Sequence, residues 1–227
     1  MPNNRLVSRR HALRTLVGTA GVLIGSAALG RAVGAACFLT PPQTEGPFYP
    51  VIDQLDKDND LTQVRGRTGK AKGKVIYIRG QVLDAQCRPV EGVLVEIWQA
   101  SASGRYTHSD DRNNAAPLDP NFQGWGKAIT DREGHYLFKT ILPGQYPAGF
   151  MWTRPSHVHF MAHGRNFYPL TTQMYFAGDP YLEKDRIFRE IPRADRQNVI
   201  VELEPPGSDY EPDAQVCRFN LVLRSAV

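Results

Sequence analysis

Residues 75–98 read VIYIRGQVLDAQCRPVEGVLVEIW, two runs of β-branched and aromatic residues around a polar turn. Val75 through Leu83 fits a strand, Asp84 to Pro89 supplies turn chemistry, and Val93 to Trp98 alternates as a second strand. The same grammar continues downstream. Short apolar runs at 136–141, 156–162, 170–176, 199–203 and 218–223 are each bounded by Gly, Pro or Asp. Residues 179–189 could make one short helix. No repeat, heptad or long amphipathic helix interrupts the pattern, and no strand–helix–strand alternation occurs. The expectation is a single all-β sandwich domain, 75–227, with long loops where such scaffolds carry function. The longest loop, 100–123, is heavy in Ser, Asp, Asn and Pro.

Two segments precede this domain. Residues 37–74 are rich in turn formers and poor in periodic apolar positions, so they read as an extended arm. Residues 1–36 read as a twin-arginine export signal: Ser8-Arg9-Arg10-His11-Ala12-Leu13, an uncharged Gly- and Ala-rich run over 16–30, then small residues at Gly34-Ala35-Ala36. A run of that length is short of the roughly 18 to 20 residues that span a bilayer, so stable membrane insertion is not expected. Periplasmic export is favoured over lipid anchoring at Cys37, because Gly34 stands where a lipidation signal places a branched apolar residue.

The 227-residue chain carries a formal net charge of +4, but five arginines and no acid lie in 1–36, and without them the remainder is −1. The basic balance belongs to the leader, and no nucleic-acid partner is expected. An oxidising destination permits one disulfide among Cys37, Cys87 and Cys217 and leaves one thiol over; which two pair stays open.

The chemistry concentrates in 146–159, YPAGFMWTRPSHVH. His157 and His159 are two apart in an apolar run, and on a strand residues i and i+2 share a face, so both imidazoles can reach one point. Such a pair is half of a metal site or, equally simply, two half-buried histidines on a sheet. His163 falls where the strand ends and reads as a surface residue; His108 and His135 lie in other segments and qualify on composition alone. Taken singly, Tyr106 reads as a surface tyrosine, Tyr146 as turn packing, Arg154 as the partner of a surface acid, and Gln173 as an exposed strand residue. Trp98 and Trp125 read as core.

Ordered motifs change that balance. TEGPFYP, VEIWQA, SGRYTHSDD, PLDPNFQGWG, TDREGHYLFKTILPGQYP, RPSHVHF, TTQMYFAGDP and RFNLVL together resemble the intradiol ring-cleavage dioxygenases, particularly the protocatechuate 3,4-dioxygenase branch. The resemblance implies a β-sandwich around one non-haem ferric ion, Fe(3+), with Tyr106, Tyr146, His157 and His159 as ligands. It implies that Arg154 and Gln173 lie beside the substrate and that Tyr146 also takes part in proton transfer. The implied substrates are a small aromatic diol and O2, the product a cis,cis-muconate-type diacid, and the assembly a homo-oligomer or a pairing with a partner subunit. Ferric iron is a hard cation suited to phenolate oxygens, which gives the ligand set a chemical reason. One departure, the short stretch Ala148-Gly149-Phe150-Met151 beside the ring pocket, leaves the ring substituents open. Two other classes of function fit the alternating strands: an exported, non-enzymatic β-sandwich binding module, and a zinc site on a β-scaffold. Phenolate ligands weigh against zinc, which takes Cys, His or carboxylate.

Overall fold

The alternation in VIYIRGQVLD becomes strand β1, Val75–Asp84, with Ile76, Ile78 and Val82 turned fully inward. This computed structural model describes residues 37–51 and 56–227; the expected export signal lies outside them. Further along come β2 (Leu94–Trp98), β3 (Trp125–Ile129), β4 (His135–Ile141), β5 (Tyr146–Gly149) and β6 (Trp152–Arg154). They are followed by β7 (His157–His163), β8 (Leu170–Phe176), helix α1 (Arg186–Glu190), β9 (Ile200–Val201), β10 (Gln215–Arg218) and β11 (Leu221–Leu223).

Two mixed sheets hold most of these strands. In one, β1 pairs antiparallel with β4 and parallel with β10 and β11; in the other the order is β3-β2-β7-β8-β9. A two-stranded ribbon, β5-β6, stands apart. The core lies between the sheets. Ile76, Ile78, Phe138 and Leu221 from the first meet Val95, Ile97, Val158, Phe160 and Met174 from the second. Phe160 is fully buried against Tyr136 and Phe219, at ring separations of 6.1 and 4.9 Å. Truncating such a ring costs about 3–5 kcal/mol.

The mostly-strand class expected from the pattern is what forms, and several details differ. The run 218–223 splits into β10 and β11, because Phe219 N turns to Arg79 O and Tyr136 Oη donates to Phe219 O, so the two pieces pair with successive stretches of β1. The run 199–203 shortens to β9. Strand β3 had no pattern strong enough to announce it, and 146–154, where no strand was expected, forms the β5-β6 ribbon. The helical stretch in 179–189 is a 3-10 turn, Leu182–Lys184, then α1, whose N-terminus is capped by the Asp185 carboxylate on Phe188 N. Among the described residues no helix is long and apolar enough to cross a membrane.

The arm is extended, and it is fastened along its length. Cys37 N donates to Ala85 O, and Cys37 is bonded to Cys87 in the turn after β1. Thr40 exchanges bonds with Val222 of β11, Thr172 Oγ1 of β8 donates to Pro41 O at 2.7 Å, and Gln43 N donates to Thr171 O at 2.8 Å. The arm therefore laces one sheet to the other. Cys217 is the remaining thiol, buried and pushed up to about 12 by desolvation.

The Cys37–Cys87 bond closes a loop of 50 residues in sequence separation, for which chain entropy gives about 4 kcal/mol of stabilisation. Cys37→Ser is expected to lose most of that in a urea titration. A midpoint equal to that of the oxidised wild type would mean that the arm's hydrogen bonds hold it unaided.

Candidate metal centre

Strand β7 is buried on both faces. Val158, Phe160 and Ala162 enter the core, so His157, His159 and Met161 must point the other way. The register then assembles the floor of a site. Trp98 of β2 pairs with His159, and His159 with Gln173 of β8; His157 pairs with Tyr175. Trp98, His159 and Gln173 thus form one row across three strands, with His157 and Tyr175 in the next. His159 stacks on Trp98, centroids 4.8 Å apart and 12° between planes.

Loops bring the two tyrosines over this floor. Gly104 lies two residues before Tyr106 and Gly144 two before Tyr146, and the two glycines touch. A Cβ on Gly104, at φ +77°, would strike the Gln145 carbonyl oxygen; one on Gly144 would strike Gly104 N. Only glycine allows this close approach. Both backbone nitrogens donate to Ser101 O at 2.9 Å, and the Asp111 carboxylate accepts from Tyr106 N at 2.7 Å. The Tyr106 and Tyr146 rings meet edge to face at 5.5 Å; Tyr106 Oη lies 3.5 Å from His157 Nε2, and the Tyr146 and His157 rings are 5.7 Å apart. Phe48 of the arm stacks on Tyr106 at 4.4 Å, and Tyr49 packs edge-on against Trp98.

The donor set is buried: Tyr106 3%, Tyr146 6%, His157 2% and His159 2% exposed. His157 Nδ1 lies 2.6 Å from Pro155 O, which requires the hydrogen on Nδ1 and leaves the Nε2 lone pair facing Tyr106. Neither ring nitrogen of His159 has a partner among the described residues. Burial, reinforced by the Arg154 charge, holds both imidazoles well below their ordinary pKa and so keeps them neutral. Burial pushes the Tyr106 phenol well above 10, with Tyr146 adding to the effect, and raises Tyr146 despite the downward pull of Arg154. Two neutral imidazoles with free lone pairs beside two buried phenols are a fit for a hard, highly charged cation, which would ionise the phenols and occupy the unpartnered nitrogens.

Arg154, 4% exposed, ends β6 beside the phenols. Its Nε lies 2.9 Å from Asp185 Oδ1 in an ion pair whose angle is not that of a hydrogen bond, and its Nη2 donates to Gln173 Oε1 at 2.6 Å. Asp185 is fully buried and also accepts from Trp152 Nε1 at 3.0 Å.

All six residues singled out in the sequence therefore gather at one place. The bland alternatives for Tyr106, Arg154 and Gln173 are overturned: the tyrosine and glutamine are buried, and the acid that pairs with Arg154 is an interior one. Trp98 is buried as expected, in a cluster that also forms the wall against His159. Asp185, Tyr175 and Gln43 were not anticipated. Tyr175 carried a usable signal, two residues from Gln173 on the same strand face; the other two are joined to the site only by tertiary contact. His163 is exposed at the end of β7, and His135 joins Asp131 and Glu133 in an exposed group at the β3–β4 turn. A cavity of about 900 Å³, lined by Thr107, His108, Leu118 and Phe122, contains none of the four donors. Donor chemistry, not cavity size, identifies the centre.

A family model described as Dioxygenase matches residues 44–225. The chain is 44% identical over 182 residues to the protocatechuate 3,4-dioxygenase beta chain of Burkholderia cepacia, covering 78% of this chain and 76% of that one. It is 31% identical over 166 residues to catechol 1,2-dioxygenase 2 of Acinetobacter lwoffii, covering 66% of this chain but only 55% of the relative's length. The crystal structure of catechol 1,2-dioxygenase from Pseudomonas arvilla C-1 superposes with a TM-score of 0.61 at 28% identity, over 82% of this chain and 62% of that one.

Removing one partner of a buried ion pair leaves the other charge uncompensated, at about 3–5 kcal/mol. Asp185→Ala is therefore expected to destabilise the protein by that amount in a denaturant titration. Asp185→Asn also removes the charge and keeps one acceptor oxygen, enough for either Phe188 N or Trp152 Nε1, so its loss should be nearly as large; a much smaller loss would show that the helix cap and the tryptophan contact, not the charge pair, account for the effect.

Proposed function

This chain belongs to the intradiol ring-cleavage dioxygenase family, and on that premise we propose that it opens a catechol-type ring between its two hydroxylated carbons. One carbon–carbon bond breaks, both atoms of O2 enter the product, and a cis,cis-muconate-type diacid results without an external reductant. The observation that carries this reading is the buried convergence of Tyr106, Tyr146, His157 and His159, with both nitrogens of His159 unpartnered. Those four residues would hold Fe(3+), which when bound supplies the Lewis acidity that acidifies the diol and readies it for O2.

The remaining work falls to the chain's own side chains. The Tyr146 oxygen, as the phenolate it would become with the metal bound, would take one proton from the incoming diol, and the Arg154 cation beside it favours that ionised form. Arg154 stabilises negative charge that develops on the ring and its oxygens. Its guanidinium is set in place before reaction by Asp185 and Gln173, and fixed charge in a dry site is the most effective kind. Trp98, Phe48 and Tyr49 exclude water around the donors. A zinc site is disfavoured by the phenol pair. The twin-arginine leader read in 1–36 and the Cys37–Cys87 bond support an exported enzyme in an oxidising compartment.

Iron-loaded protein is expected to be coloured by tyrosinate-to-iron charge transfer, to change colour with catechol, and to give a muconate-type diacid from one member of a panel of catechol, protocatechuate, hydroxyquinol and chlorocatechols. Chelation of the iron should abolish turnover. Arg154→Ala should lower kcat on the order of 10²–10³-fold, and Tyr146→Phe on the order of 10²-fold or more with an altered spectrum. A yellow semialdehyde product would place cleavage beside the diol and overturn the reaction assigned here, and a colourless protein that binds zinc in preference to iron would overturn the metal.

A further inference from the structure

Arg154 does not stand on its own strand's authority. Its Nη2 donates to Gln173 Oε1, and that side chain is held in turn by the arm, since Gln173 Nε2 donates to Thr44 O at 2.9 Å. One residue earlier, Gln43 uses its whole amide on the same spot. Its two Nε2 hydrogens reach Thr172 Oγ1 at 3.0 Å and Gln173 O at 2.9 Å, and its Oε1 accepts from Tyr175 Oη at 2.7 Å. Its backbone nitrogen is tied to Thr171 O. We propose that Gln43 is a positioning residue of the catalytic site, keeping Gln173 available to Arg154 by accepting the Tyr175 hydrogen bond and by fixing the β8 backbone beneath it.

The argument is one of competition for an acceptor. The Tyr175 hydroxyl has one proton and two acceptors in reach, Gln43 Oε1 at 2.7 Å and Gln173 Oε1 at 3.2 Å. It goes to the nearer, and Gln173 Oε1 is left for the guanidinium at 2.6 Å. Without Gln43 the only protein acceptor in that pair is Gln173 Oε1, which must then be shared. At the same time the Gln173 carbonyl and the Thr172 hydroxyl lose their donor, so the arm holds β8 less firmly, through Gln43 N on Thr171 O, Thr172 Oγ1 on Pro41 O and Gln173 Nε2 on Thr44 O. Arg154 keeps its pairing with Asp185, but its contact with Gln173 Oε1, which sets the angle of its plane, is weakened by the sharing. A guanidinium is directional, and displacement of about 1 Å at a reacting centre costs on the order of 100-fold in rate. Gln43 is half-buried and lies on the arm pinned by Cys37–Cys87, and its side-chain hydrogen bonds go to Thr172, Gln173 and Tyr175.

This inference rests on the role given to Arg154 under the proposed function. Its test uses the iron-loaded full chain carrying Gln43→Ala, and Gln43→Met, which keeps the length of the side chain without its hydrogen bonds. Both are expected to lower kcat at least tenfold with KM within about threefold, while iron content and the charge-transfer spectrum stay as in wild type. In an Arg154→Ala background the same changes should have no further effect beyond about twofold, because a residue that works only through Arg154 has nothing left to position. Wild-type kcat in Gln43→Met, losses that multiply with that of Arg154→Ala, or loss of iron and colour in the single variants would each overturn the assignment. A wild-type protein that opens no diol ring would instead overturn the reading of the site, and this proposal with it.

Discussion

Over its first four residues strand β7 has no face left for solvent. Its period of two sends Val158, Phe160 and Ala162 into the sandwich and His157 and His159 outward, and the outward face is buried too. An imidazole with both nitrogens shielded from water and unpartnered is costly, as His159 is here. Everything around the centre can be understood as the means by which that face is covered and its polar atoms given something to bind. The arm supplies Phe48 and Tyr49, the loop after β2 supplies Tyr106, and the β5-β6 ribbon supplies Tyr146 and Arg154.

Electrostatics give the same picture from another direction. Desolvation drives every donor toward its neutral form, phenols upward and imidazoles downward. Neutral imidazoles are already suited to a metal, and the phenols become suited once a strong Lewis acid arrives. Arg154, a fixed cation beside the phenols, is balanced by a fully buried carboxylate, so the site can take up further charge without beginning from an uncompensated one. The carboxylate also caps α1, which links the position of Arg154 to the small helical layer around Phe188.

Much of this was legible in one dimension because it depends on local periodicity or on ordered motifs. Alternation in β1, β4, β7 and β8 showed the strand class, and the RPSHVH, GQYP and SGRYTH motifs pointed to the residues that converge. Misreadings came where local pattern carries little information. Strand β3 and the β5-β6 ribbon form from segments rich in Gly, Pro and Lys, whose pairing is imposed by neighbours. Trp98 looked like any buried tryptophan, since nothing in VEIWQA says which of two sheet faces will meet a histidine.

The amino-acid sequence alone determined the strand pattern, the kinds of donor atom and the shared face of His157 and His159, because each follows from residue chemistry and a two-residue period. It left the pairing of Cys37, Cys87 and Cys217 open, and it held no sign that Gln43, Asp185 and Tyr175 would meet at Arg154. Those contacts span up to 132 positions along the chain. Only tertiary structure decides them, since side chains so far apart become neighbours through strand register and the path of the arm, and neither is written in the residues near any one of them.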